Sequence, residues 1–161
     1  MLTSLKRMVG LPVVWQDKQL GYVERAIPNA LSKRLSGVVV RKGIGTAKWV
    51  AADDILVVGA QCVLLGRKPS RMPEGETGAL GRAFLTSGEC AGEVTDVVIQ
   101  SDTFRVAALE LSPGPVYRLM GRRSYAAEYR VEQAARQGEV VVPQLLTWAQ
   151  LRRKLGEEAE G

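Results

Sequence analysis

The sequence predicts a mainly β fold, built from two small tandem copies and followed by an amphipathic C-terminal helix. Three observations support this prediction. Short apolar runs alternate with polar or glycine-containing turns. The chain resembles itself when it is shifted by 71 positions. A segment rich in proline and glycine separates the two similar stretches. Copies of about 60 residues bury only a modest core, and their many short strands indicate a barrel or a sandwich.

The internal similarity is carried by glycines and aliphatic residues. Gly10 falls on Gly81 and Gly21 falls on Gly92, and valine, isoleucine and leucine positions follow in the same register. Beyond this stretch the register slips by a few positions. Two glycines and a shared apolar pattern at one offset favour a true repeat over chance matching of valines.

The repeat and its linker divide the chain into four parts. They are a first copy over 1–66, a linker over 67–78, a second copy over 79–143, and a C-terminal helix with an acidic tail over 144–161. The linker contains Pro69 and Pro73 among several glycines, and such residues disfavour regular structure.

Each copy is predicted to consist of short strands separated by turns. In the first copy we expect strands at 10–14, 20–27, 37–40, 47–51, 57–58 and 61–65. In the second copy we expect strands at 81–86, 91–99, 105–111 and 140–142. The segment 125–137 is rich in Ala, Glu, Gln and Arg, which favour a helix, and Gly138 follows it.

The last segment is predicted to form an amphipathic helix. Pro143 is compatible with a helix start, and Gly156 with its end. One face carries apolar residues at spacings of 3, 3 and 4, namely Leu145, Trp148, Leu151 and Leu155. This face either packs on the second copy, binds a partner protein, or lies in a membrane interface.

Composition argues against several classes of protein. The chain contains no histidine, which removes the commonest general base and metal ligand. We therefore expect no catalytic, metal or cofactor site. Cys62 and Cys90 do not form a Cys-x-x-Cys motif, and both are predicted to be buried or half-buried. No segment resembles a signal peptide or a transmembrane span, so we expect a cytoplasmic protein, with peripheral attachment to a membrane as the alternative.

The charge is unevenly distributed along the chain. Residues 1–72 hold 12 Lys and Arg against 4 Asp and Glu, a net charge of +8, whereas residues 73–161 hold 10 against 13, a net charge of −3. The basic half can recognise an anionic partner. Its candidate contacts are Lys33, Arg34, Arg41, Lys42, Lys48, Arg67, Lys68 and Arg71.

Both copies resemble the PRC-barrel family, the small β-barrel named after the cytoplasmic domain of the photosynthetic reaction-centre H subunit. Segment 9–13 resembles the family's first strand. Segments 21–25 and, more closely, 92–98 resemble its Gly-x-Val-x-Asp-like strand. Segment 105–109 resembles its next strand, and 50–55 resembles its corner, which here lacks the proline. The resemblance implies two tandem PRC-like β-barrels acting as structural and interaction modules, without catalytic residues.

The sequence thus predicts a non-enzymatic scaffold that binds another protein or a second copy of itself. Two alternatives stay open. The first is association with RNA or the ribosome through the basic N-terminal copy, which would be sensitive to salt. The second is assembly of a membrane complex, with the C-terminal helix on an anionic membrane surface.

Overall fold

The computed structural model describes residues 1–74, 80–113, 123–131 and 138–160, with side chains as far as Gly156. Residues 75–78 of the predicted linker, 132–137 of the predicted helix and the terminal Gly161 lie outside the described residues. The protein is mainly β and divides into two compact units. The first comprises Met1–Gly78 together with Ile99–Val106, and the second comprises Ala79–Val98 together with Ala107–Gly161.

The first unit contains most of the described strands. They are β1 (Leu2–Ser4), β2 (Pro12–Trp15), β3 (Lys18–Asn29), β4 (Arg34–Arg41), β5 (Lys48–Ala51), β6 (Ile55–Val58) and β7 (Val63–Leu65). A short helix, α1 (Leu5–Met8), follows β1, and a 3-10 turn, η1 (Ala52–Asp54), lies between β5 and β6. The predicted strands of the first copy are confirmed, with shifted ends.

The sheet of the first unit is curved by its connections. Its six strands run in the order β5-β4-β3-β2-β7-β6, and all neighbours are antiparallel except β2 and β7. The end strands β5 and β6 are consecutive in the chain and are joined by the three residues of η1. A flat six-stranded sheet would hold its ends about 24 Å apart, which three residues cannot span. The two ends of the sheet therefore curve towards each other.

The second unit repeats this strand order. Its strands are β8 (Arg82–Leu85), β9 (Cys90–Gln100), β10 (Val106–Ser112), β11 (Ser124–Ala126), β12 (Arg130–Val131) and β13 (Val140–Val142). They run β11-β10-β9-β8-β13-β12, with β8 and β13 parallel. β1 also pairs with β9, whose last two residues belong to the first unit. The end strands β11 and β12 are again joined by only three residues, 127–129.

In both sheets a glycine allows the longest strand to approach its neighbour closely. Gly21 has a φ of 141°, and a Cβ atom there would lie 2.5 Å from the carbonyl oxygen of Arg41. Gly92 has a φ of 125°, and its Cβ would lie 2.5 Å from the carbonyl oxygen of Ser112. Both the φ angle and the contact exclude a side chain. The glycines matched in the sequence thus have the same structural role in the two sheets.

After its last strand, each unit returns to cover the opposite end of its sheet. Ser70 exchanges two backbone hydrogen bonds of 2.8 Å with Trp49 in β5, and Met72 packs beside it. In the second unit Leu146 exchanges two hydrogen bonds of 2.8 Å with Tyr125 in β11. The early part of the predicted linker is therefore packed against the first unit.

The helix predicted over 125–137 is wrong for the residues described. Positions 124–126 form β11 and 130–131 form β12. The sheet gives this segment a hydrogen-bonded partner on each side, β10 and Leu146 for β11, and this tertiary pairing outweighs the helix propensity of Ala, Glu and Arg.

The C-terminal helix is confirmed, but with different ends. Helix α2 (Trp148–Glu160) begins five residues after Pro143 and continues through Gly156, which the sequence predicted as its end. Thr147 and Gln150 form a capping box, in which each side chain accepts a hydrogen bond from the other's backbone N–H, at 2.9 and 3.2 Å. This box fixes the start of the helix.

The two cysteines are free thiols. Cys62 is half-buried, as predicted, whereas Cys90 is exposed because it opens β9 directly after a turn. No helix in the described part of the chain is both long enough and apolar enough to cross a membrane.

Candidate functional site

The predicted basic residues are spread over several elements of the first unit. Arg41 forms a two-point ion pair with Glu24, in which its Nε lies 2.8 Å from Oε1, and it donates a third hydrogen bond of 2.8 Å to the carbonyl oxygen of Gly45. Arg67 lies 3.9 Å from Oδ1 of Asp54. These contacts tie both guanidinium groups to carboxylates of the same unit.

The remaining cations lie on turns and loops of the first unit. The backbone carbonyl of Lys33 accepts a hydrogen bond from Val106, and the residue has a φ of 55° in the turn before β4. Lys42 and Lys48 flank the loop between β4 and β5, and Lys68 and Arg71 follow β7, all exposed. One of the eight predicted contacts lines the cleft described below.

Arg34 is that residue, and the structure pairs it with a residue distant in the sequence. Segment 33–35 lies antiparallel to segment 104–106, with Leu35 N–H bonded to the Phe104 carbonyl at 2.8 Å and Val106 N–H to the Lys33 carbonyl at 2.9 Å. Arg34 and Arg105 are the central pair of this short ladder. They form its non-hydrogen-bonded pair, in which cross-strand side chains stand closest.

The two arginines border a polar cleft of about 450 Å³ in the first unit, which we name the arginine cleft. Its lining residues are Arg34, Ala52, Asp53, Ile55, Asp102, Thr103, Phe104 and Arg105. Nη2 of Arg34 donates to the carbonyl oxygen of Thr103 at 3.3 Å and lies 4.0 Å from Oδ1 of Asp53. The 89% exposed Asp53 side chain makes this a weak ion pair.

A strained residue holds the wall of the cleft. Phe104 has a φ of 61°, in the left-handed region that costs a non-glycine residue about 1 kcal/mol. Its side chain is 7% exposed and so is buried in the unit. Burial of the ring fixes the backbone that places Arg105 opposite Arg34.

A second feature of the first unit is an exposed apolar strip at one end of its sheet. A β-bulge places Leu56 and Val57 of β6 opposite Leu64 of β7, and Leu64 in turn faces Val14 of β2. Their exposed fractions are 63% for Leu56, 52% for Val57 and 36% for Leu64. We name Leu56, Val57 and Leu64 the apolar strip.

The second unit carries a charge at the corresponding place. In β12, Arg130 faces Val141 of β13, and Val141 faces Phe84 of β8, as Val57 faces Leu64 and Leu64 faces Val14. Charged residues on an end strand discourage contacts with other chains. The two units therefore present different surfaces from the same position of the sheet.

The predicted apolar face of the terminal helix is only partly buried. Leu151 is fully buried and Leu155 is half-buried, so both pack within the second unit. Trp148 is 44% exposed, and the centroid of its ring lies 5.1 Å from the centroid of the Tyr125 ring. Leu145 precedes the helix.

Beside that aromatic pair lies a polar cluster centred on a buried carboxylate. Glu110 is 7% exposed and accepts hydrogen bonds from the hydroxyl groups of Thr95, at 2.8 Å, and Tyr125, at 3.5 Å. Arg123 lies 3.5 Å from the same carboxylate. Burial, and secondarily the charge of Glu110, raise the pKa of Tyr125. The cluster is satisfied internally and acts as a structural network.

Sequence reasoning missed Arg105 and the apolar strip. Arg105 carries no local signal, because its meeting with Arg34 depends on a tertiary pairing. The apolar strip could have been recognised from the sequence. Ile55–Val58 is a continuous apolar run, whereas a strand with one buried face needs an apolar residue only at every second position.

Comparison with known proteins adds no assignment to these sites. No protein-family model matches the chain, and no curated protein matches it in sequence.

Proposed function

We propose that the protein is a non-enzymatic scaffold, built from two PRC-type β-barrels, that binds another protein through its first unit. The duplication is supported by the shared strand order of the two sheets and by the equivalent roles of Gly21 and Gly92. A barrel is supported in each unit by the three-residue connection between the two ends of the sheet.

The observation that carries the binding function is the apolar strip. Single apolar residues on a surface are common, but neighbouring ones on adjacent strands mark an interaction site. Val57 and Leu64 are direct cross-strand partners, and Leu56 lies over Gly66, where a Cβ atom would be 3.0 Å from its Cδ2. The three side chains therefore form one surface.

The comparison of the two units strengthens this proposal. Exposed apolar side chains invite contacts with other chains, and at this position β12 has the charged Arg130. β6 has Val57 instead, although a charge there would cost the fold little. An apolar residue at an unprotected position is explained if a partner covers it.

The proposal is tested with Leu64→Glu, which places a charge in the strip. Affinity capture from the producing cells first identifies the partner, and its Kd is then measured with purified proteins. We expect Leu64→Glu to weaken binding about tenfold or more, since it would bury an unpaired charge. Ile44→Glu is the matched control, because Ile44 is fully exposed in a loop away from the strip.

Equal binding by the wild type and Leu64→Glu would contradict the proposal. So would capture of RNA rather than protein, with an affinity that falls steeply with salt. Co-flotation of the protein with anionic vesicles, lost on removal of 144–161, would instead favour the membrane alternative.

A further inference from the structure

We infer that the arginine cleft of the first unit receives a carboxylate side chain from the partner protein. The inference rests on the proposed function and deepens it, because it names the chemistry that the partner presents beside the apolar strip.

The first step is the pairing of two like charges. Arg34 and Arg105 are the non-hydrogen-bonded pair of their short ladder, so their side chains leave the backbone side by side. Like charges directly opposite each other destabilise a sheet. The arrangement is relieved when an anion lies between the two guanidinium groups.

The second step is that neither guanidinium group is held in a close ion pair within the described part of the unit. Arg34 has one distant carboxylate partner, Asp53, at 4.0 Å. The guanidinium of Arg105 has no ion pair among the described residues, and Asp102 uses its carboxylate to accept the N–H of Thr103 at 2.9 Å. Arg105 is therefore the cation available to a ligand.

The third step selects the type of anion. Arginine binds carboxylates and phosphates through paired N–H groups. Asp53 and Asp102 also line the cleft and lower its positive potential. A singly charged carboxylate suits this balance better than a doubly charged phosphate does.

The fourth step joins the cleft to the apolar strip. Asp53 and Ile55 line the cleft, and Leu56 and Val57 follow them directly in the chain. The cleft and the apolar strip are therefore neighbours along the chain, and the inferred segment carries apolar residues beside its acidic one. The net charge of +8 over residues 1–72 favours such an acidic segment and disfavours a second copy of the same basic unit.

The test uses the whole 15N-labelled chain and an acetylated Val-Glu-Val-Glu-Val peptide amide as the probe. We expect the peptide to shift the backbone amides of Thr103, Phe104 and Arg105 in NMR spectra. Arg105→Gln should weaken its binding about tenfold, since a charged hydrogen bond is lost. Arg25→Gln is the matched control, being the same change at an exposed arginine of β3 outside the cleft, and should leave binding unchanged.

Three results would overturn the inference. One is equal binding of a Val-Gln-Val-Gln-Val peptide. Another is tighter binding of inorganic phosphate at the same amides. The last is an unchanged affinity of Arg105→Gln for the captured partner. In that last case, loss of the partner by Leu64→Glu would show that the proposed function stands although the cleft is not used. If neither Arg105→Gln nor Leu64→Glu lost the partner, both the proposed function and the inference would be rejected.

Discussion

At the residue scale, two glycines decide whether the long strands can reach their neighbours. Replacing Gly21 or Gly92 with alanine forces a Cβ atom into a carbonyl oxygen at 2.5 Å and a side chain into a disfavoured φ. We expect each variant to lose about 1–3 kcal/mol of unfolding free energy, measured by urea denaturation. Gly156→Ala is a control for which we expect the opposite change, a gain in unfolding free energy. It lies inside α2 with no atom near its Cβ, so alanine should stabilise the helix by about 1 kcal/mol.

If Gly21→Ala and Gly92→Ala unfolded at the same urea concentration as the wild type, the close approach would not be needed in either sheet. An effect at only one of the two positions would show that the sheets do not share this requirement.

A buried tyrosine makes stability depend on alkaline pH. Burial raises the pKa of Tyr129 from 10.0 to about 12. Because the folded pKa lies above the unfolded one, the neutral hydroxyl stabilises the fold below pH 10, and this contribution is lost as the pH rises towards 12. Tyr129→Phe should therefore lose less stability than the wild type between pH 10 and 12, in urea unfolding followed across that range.

Tyr22→Phe provides the comparison, because Tyr22 is 51% exposed. The prediction concerns the slope of stability against pH, so a constant loss in Tyr129→Phe from a missing contact does not affect it. Identical slopes for Tyr129→Phe and the wild type would be inconsistent with the raised pKa.

At the element scale, the capping box fixes where the terminal helix starts. Thr147→Ala removes the hydroxyl that accepts the Gln150 N–H, and Gln150→Ala removes the reciprocal bond. We expect Thr147→Ala to cost about 1 kcal/mol, seen as a lower unfolding midpoint and a reduced helical circular dichroism signal. Gln144→Ala, an exposed change before the cap, should have little effect. A Thr147→Ala variant with unchanged helicity would mean that packing of Leu151 alone sets the helix start.

The elements also show which parts of the fold the sequence can predict. The strands of the first copy follow from apolar runs between turns, and the spacing of Leu151 and Leu155 predicts the terminal helix. The prediction for segment 124–131 is wrong because its residues favour a helix in isolation, whereas its strand pairings come from distant parts of the chain. The arginine cleft could not be predicted from the sequence for the same reason. Arg34 is recognisable as part of a basic region, but only folding brings Arg105 to it.

At the scale of the whole molecule, the chain order and the compact units do not coincide. The tip between β9 and β10, Ile99–Val106, belongs to the first unit although the rest of that hairpin lies in the second. Ser101 donates to the Met1 carbonyl through both its backbone N–H and its hydroxyl, at 2.9 and 3.1 Å. A repeat read from the sequence ends the first copy at 66, but the first unit as folded is completed by residues from within the second copy.

This arrangement predicts that the first copy is less stable alone than within the whole chain. A fragment of residues 1–78 lacks Phe104, which is 7% exposed in the intact unit, and lacks the hydrogen bonds of Leu35 and Val106. The lost burial of one phenylalanine is worth about 3 kcal/mol, so we expect a clearly lower urea midpoint for the fragment. Phe104→Ala in the whole chain should destabilise the first unit in the same direction, since it removes the ring but keeps the backbone. If the fragment and the whole chain unfolded at one midpoint, the tip would contribute nothing to the first unit, and the arginine cleft would lack a fixed wall.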